Sequence, residues 1–191
     1  MSDSFQYRLS KNQKEEIAEN LIAILQKDAK ITQATTDFIS DWISTGPSEK
    51  RKAFYDVWEI VLKNYLPTER PILFRSSKRI IKKNRIASFT GQLGCAKNFG
   101  KDYLIIYDTY EVLKFEEELY KPGDYKNTFY PLINVLEKAR DSGGWGFPER
   151  IWNFIGENEY IVRIEVEYLN ILKWVKNDTD KYLALKYPNS K

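Results

Sequence analysis

The sequence predicts an α+β protein in which a helical N-terminal part precedes a region of mainly antiparallel strands. Three observations carry this. Up to about residue 65 apolar side chains recur at helical spacing, and beyond it β-branched and aromatic residues gather in short runs. Strands and helices do not alternate regularly, as a doubly wound parallel sheet requires. The C-terminal stretch alternates apolar and polar residues around a turn signal, the pattern of a hairpin. With 191 residues, 42% of them apolar and 30% charged, the chain suffices for one domain with a real core, or for one domain with a small helical appendage. The change of texture divides it into a helical region, 1–66, and a strand-rich unit, 67–191.

Residues 11–27 carry Ile17, Leu21, Ile22, Ile24 and Leu25 on one stripe, with Ser10 as N-cap. A second helix runs from about Thr32 to Ile43 and ends at Gly46-Pro47. A third is expected to begin at Ser48, with Glu49 in its first turn, to bury Phe54, Val57, Trp58, Val61 and Leu62, and to end at Pro67. Pro71 to Arg75 and Arg85 to Phe89 read as strands, Gln92 to Phe99 as a short helix, and Tyr103 to Tyr107 as a buried strand. Residues 108–119 fit helix and strand alike, because Tyr110, Val112 and the run Glu116-Glu117-Glu118 do not decide between them. Phe129 to Arg140 reads as a helix, and 141–148 as a loop rich in glycine and aromatics. Residues 159–175 alternate strongly, Asn177-Asp178 is a turn, and Tyr182 to Tyr187 is a final strand.

Composition excludes several kinds of chemistry. The chain has no histidine, which removes Ser-His-Asp and Cys-His catalysis, imidazole proton shuttles and histidine-bound metals. A lone cysteine, Cys95, rules out an internal disulfide and reads as a small core residue. No apolar run is long enough to span a bilayer, and the start of the chain lacks the basic and apolar regions of a signal peptide, so a cytoplasmic protein is expected. The net charge of +3 is too small to argue for nucleic acid by itself.

Three short pieces then stand out, in order: Arg75 at the end of Ile72-Leu73-Phe74-Arg75, Ser88-Phe89-Thr90, and Glu157-Asn158-Glu159. Together they resemble the Arg, Ser-x-Thr/Ser and Glu-x-Glu landmarks of the mono-ADP-ribosyltransferases of the Arg-Ser-Glu class, which includes bacterial toxins and phage-encoded enzymes that modify host proteins. The resemblance covers roughly residues 70–188. Ala87 to Thr90 followed by Ala96 and Phe99 is similar to the family's Ser-Phe-Thr strand with its following helix. The stretch 141–156 lies where the family has a mobile substrate loop, with Trp152 or Phe154 as its target-facing aromatic.

The resemblance implies a split β-sandwich fold and an enzyme that moves ADP-ribose from NAD, its substrate, onto a target protein, with no metal. By position, Arg75 would hold the NAD phosphates, an office that suits a planar bidentate fork. Ser88 would orient the catalytic glutamate, and Phe89 and Thr90 would complete that strand of the NAD site. Glu159 would hold the ribose and stabilise its oxocarbenium. Glu157 would engage the acceptor, and a glutamate at this place implies an arginine acceptor. The resemblance also implies action in the cytoplasm, that of the host if the protein is phage-encoded. The chain departs from the family in having Ser76 after the arginine, Gly91 in place of a third hydroxyl, only thirteen residues from Arg75 to Ser88, and a long gap from Ser88 to Glu159 that implies an insertion near 110–140.

Each piece has a plainer reading beside this one. Arg75 opens a basic run with Lys78, Arg79, Lys82, Lys83 and Arg85, and such runs are usually a solvated face. Glu157 and Glu159 at strand spacing can simply share a wet side of a sheet, and Glu165 with Glu167 repeats the pattern. The first pair is preferred because it follows a glycine-rich loop and opens a strand. Trp42, Trp58 and Trp174 read as core, whereas Trp145 and Trp152, beside the glycine-rich loop, are less easily assigned to it, because exposed aromatics often anchor partners. The alternative function is therefore a non-enzymatic protein-binding domain that uses the basic face 78–85 and the loop 141–156. Nucleic acid binding through the basic run is disfavoured by the near-neutral net charge and by the lack of stacking aromatics within the run.

Overall fold

In the computed structural model residues 8–46, 48–80, 85–99, 102–175 and 181–185 are described. Helix α1 (Lys11–Gln26) opens with a capping box: Ser10 Oγ accepts the N–H of Gln13, and the Gln13 side chain accepts the N–H of Ser10. Such a cap stabilises a helix by about 1 kcal/mol. Helix α2 (Gln33–Ser44) is capped by Thr32. Helix α3 (Lys52–Asn64) begins later than expected. Ser48 and Glu49 form a turn instead, in which the Glu49 N–H donates to the Gly46 carbonyl, and Arg51 caps the helix through its backbone alone. The turn uses the residues that the sequence offers as a cap. The helix also ends before Pro67, at a Tyr65 C-cap.

Strands β1 (Ile72–Ser77) and β2 (Arg85–Thr90) follow, then the short helix α4 (Leu93–Asn98) and strand β3 (Tyr103–Asp108). The undecided stretch is helix α5 (Thr109–Leu119), capped by Asp108. The helix expected from Phe129 is in fact two elements, strand β4 (Thr128–Tyr130) and helix α6 (Leu132–Asp141), parted by Pro131 at the cap. Pro131 suits a helix start, and the residue before a proline is biased to extended backbone, so Tyr130 stays in a strand. The glycine-rich loop leads into a 3-10 segment, Glu149–Glu157, most of which falls where the resemblance implies a mobile loop. Strands β5 (Glu159–Ile164) and β6 (Asn170–Val175) are separated by a 3-10 turn at Val166–Tyr168, so the alternation across 159–175 is not one strand. Strand β7 (Lys181–Leu185) pairs antiparallel with β6, as expected of the terminal hairpin. The turn at Asn177-Asp178 and the end of the last expected strand lie outside the described residues.

The strands form one seven-stranded sheet in the order β4-β5-β2-β1-β3-β6-β7, and every pairing is antiparallel. The protein is thus α+β. The ladder is continuous, where the resemblance implied a split. At its centre, however, β1 and β2 share a single register pair, Phe74 with Thr90, while β2–β5 and β1–β3 are paired along six residues each. The sheet is two well-knit halves joined at one point.

Alternation along the strands sorts the core into two. On one face Ile161 and Tyr130 join Leu21, Trp42, Trp58 and Leu136 from the helices. On the other Phe89, Val162, Phe129, Leu73 and Ile105 make the second cluster. The first cluster crosses the 66/67 boundary, so the helices are packed onto the sheet that follows them. Among the described residues no helix is long and apolar enough to cross a membrane.

Candidate active site

An open cleft of about 1330 Å³ lies where β1 and β2 part, roofed by the α2–α3 connection. Arg75, Ser88, Phe89, Thr90, Glu157 and Glu159 all border it, so three segments separated widely in sequence meet there. Register explains part of the meeting. Glu159 opens β5 directly opposite Thr90, and Ser88 lies two residues along the same strand, so the three side chains share one face. Arg75 bridges the parting strands, its Nη1 donating to the Ser88 carbonyl.

Glu157 arrives differently from expectation. It closes the 3-10 segment, and Asn158 then turns the chain through a left-handed conformation, φ 50°, into β5. The two glutamates are therefore not neighbours on one strand. Asn158 tolerates this backbone better than most residues. The Gly91 N–H donates to the Asn158 carbonyl at 3.2 Å, which ties the end of β2 to this turn.

The carboxylate of Glu159 is held by an unexpected partner. Trp42 Nε1 donates to Glu159 Oε1 at 3.1 Å, whereas no hydrogen bond among the described residues joins Ser88 Oγ to Glu159. Trp42 is core, as read, with 1% exposure, yet its one polar atom serves the cleft. Lys50 is the second residue that the sequence did not offer. Its Nζ donates to the Trp42 carbonyl at 2.7 Å and stands 3.3 Å from the centre of the Trp42 ring. Burial lowers the Lys50 ammonium to about 8, even though Glu159 and Glu157 pull it upward; Arg75 adds to the lowering. Burial, and then the neighbouring charge of Glu159, raise the Glu157 carboxyl above its usual range, against the pull of Lys50. The cleft thus holds a carboxyl displaced upward and an amine displaced downward, a pairing that suits proton transfer near neutral pH.

Other expected residues play different parts. Phe89 borders the cleft, but alternation turns its ring into the second core, 3% exposed, which leaves little of it for a ligand. Thr90 is buried, and its Oγ1 accepts the Gln92 N–H at the start of α4. Cys95 is half-buried, its Sγ 3.7 Å from the Glu157 carbonyl. Trp145 and Trp152 are not free anchors. Both pack on the first core, and Trp152 meets Phe147 edge-on at 5.8 Å. Of the two aromatics proposed to face a target, Phe154 borders the cleft and Trp152 does not. Of the basic run, Arg79 borders the cleft, while Lys82, Lys83 and the Arg85 side chain lie outside the described residues.

Sequence alone gave no signal for Trp42 or Lys50 as site residues, because the bond from Trp42 to Glu159 spans 117 positions. No protein-family model matches the chain, and neither a curated protein nor a solved structure does.

Proposed function

We propose that the protein is an NAD-dependent mono-ADP-ribosyltransferase that acts on a side chain of a target protein, arginine for preference. One observation carries this reading: an arginine, a serine-threonine strand and a pair of glutamates from three distant segments border a single cleft at the seam of the sheet. Pockets for small ligands usually enclose roughly 300–1,000 Å³. At about 1330 Å³ this one has room for a dinucleotide and for the tip of an acceptor side chain.

The chemistry required is modest. The bond between the ribose C1 and the nicotinamide nitrogen breaks, its electron pair leaves with nicotinamide, and positive charge develops on the sugar. Glu159, held by Trp42, supplies the fixed negative charge that stabilises that sugar. Arg75 stands at the seam with a cationic fork suited to phosphate oxygens. Glu157 takes the proton that the acceptor loses as the new bond forms at C1, and its raised carboxyl is the better base for it. Acceptor and sugar are joined, and nicotinamide and a proton are released.

The test is label transfer from tagged NAD into a bacterial lysate, with wild type and Glu159→Ala side by side. Labelled protein is expected with wild type only. Glu157→Ala is expected to lose transfer and keep NAD hydrolysis. Label retained by Glu159→Ala would sink the assignment. No label with either protein and no shift of the wild-type melting temperature by NAD would favour a protein-binding domain instead.

A further inference from the structure

Trp42 and Lys50 come from the helical N-terminal region, yet Trp42 bonds the Glu159 carboxylate in the cleft, and Lys50 packs on Trp42 within electrostatic range of that carboxylate. The indole cannot move to suit its partner. Phe54, Tyr55 and Trp58 pack against it edge-on at 5.8, 6.0 and 5.6 Å. An indole has one donor and no acceptor, and a buried N–H needs a partner. The rigid ring therefore dictates where Glu159 Oε1 must lie, 3.1 Å from Nε1. A serine hydroxyl, which rotates freely, would impose no such direction.

We propose that Trp42 and Lys50 are the positioning residues of Glu159: the Trp42 N–H fixes the carboxylate rotamer, and Lys50 clamps the indole and keeps a positive charge beside the pair. The inference rests on the ADP-ribosyl-transfer reading and assigns to the N-terminal helices the work expected of Ser88. Lys50 makes two contacts with the same tryptophan, one to its carbonyl and one to its ring face. A cation over the ring draws on its electrons and makes the N–H a stronger donor. The charged groups that face Lys50 are Glu159 on β5, Glu157 at the end of the 3-10 segment and Arg75 on β1.

Two readouts test this. The first is the set of indole N–H resonances, in which Trp42 is probed by changing its partner and identified by its own substitution. Glu159→Gln is expected to move one of the five strongly, because an amide replaces the charged acceptor. Trp42→Phe is expected to delete that same resonance. The second is the rate of nicotinamide release. Trp42→Phe keeps an aromatic in the core and is expected to lower kcat about ten- to a hundredfold, with KM for NAD held within about threefold. Lys50→Met is expected to lower kcat at pH 7. Lys50→Arg, which stays charged, is expected to restore kcat and to remove the loss of activity expected of wild type above about pH 8. Indole resonances that ignore Glu159→Gln overturn the proposal, as does an unchanged kcat in a folded Trp42→Phe. A wild type that releases no nicotinamide overturns the transferase reading instead, and the indole resonance then still reports the bond from Trp42 to Glu159.

Discussion

A Cβ placed on Gly91 would stand 2.8 Å from Asn158 Oδ1 and 3.2 Å from a ring carbon of Tyr160. The glycine is therefore set by the turn that carries Glu157 and Glu159 into the cleft, since that turn presses against the end of β2. Gly91→Ser would supply the third hydroxyl suggested by the family resemblance, but it would push on Asn158, whose backbone is already left-handed. We expect it to destabilise the fold by about 1–3 kcal/mol, read as a lower urea midpoint. An unchanged midpoint would show that Asn158 can give way. At this scale the cleft was legible where a residue type announces its chemistry, as Arg75, Ser88, Glu157 and Glu159 do. It was illegible where a residue serves core and cleft together. Trp42 sits on an apolar stripe, and nothing local says that its N–H leaves that stripe. Lys50 looks like any lysine in a loop, because its environment is made by β1, β5 and the 3-10 segment.

The elements show the same division. Helices α1 and α2 were legible to within two residues, because caps and stripe agree. Helix α5 was not, and Glu116 is the reason. A carboxylate normally marks the wet face, but Glu116 is 1% exposed and lies on the buried stripe with Val112 and Leu113. It accepts the Lys126 N–H at 2.8 Å and the Asn127 side-chain amide at 3.0 Å. Asn127 in turn accepts the Glu165 N–H through Oδ1 at 2.8 Å and receives the Tyr107 hydroxyl at its carbonyl. One buried carboxylate thus ties α5 to the approach of β4 and, through Asn127, to the end of β5. Glu116→Ala would leave one buried and one part-buried donor without an acceptor, and we expect a loss of about 2–3 kcal/mol in unfolding free energy, measured by urea denaturation. Loss of under about 1 kcal/mol would mean that water replaces the carboxylate. Strand β4 escaped the sequence reading because three residues are too few to show a period.

At the scale of the whole molecule the question is whether the helices are an appendage. Their apolar stripes do not close on one another. Ile17, Leu21 and Ile24 of α1 and Val57, Trp58 and Val61 of α3 share a cluster with Tyr130, Leu132, Leu136 and Ile161. Polar ties cross the same boundary. Tyr130 OH donates to the Leu21 carbonyl at 2.7 Å, Thr128 donates to the Leu62 carbonyl, and Arg163 faces Glu59 at 3.2 Å. Removing residues 1–66 would uncover the part of the sheet, β2, β4 and β5, on which the helices pack, and the side of α6 that faces them, at a cost of roughly 1.5–3 kcal/mol for each large apolar side chain left bare. Summed over Tyr130, Leu132, Val135, Leu136 and Ile161, that matches the roughly 5–15 kcal/mol by which domains are stable. Residues 67–191 alone are therefore expected not to fold: no cooperative thermal transition, rapid proteolysis, and no binding of NAD. The full chain is expected to unfold in one transition, with tryptophan fluorescence and far-ultraviolet circular dichroism coincident. Two separated transitions, or a protease-resistant 67–191 fragment, would restore the picture of a free-standing catalytic unit. Such a fragment would also lack Trp42 and Lys50, so any NAD turnover it kept would count against the role given to them.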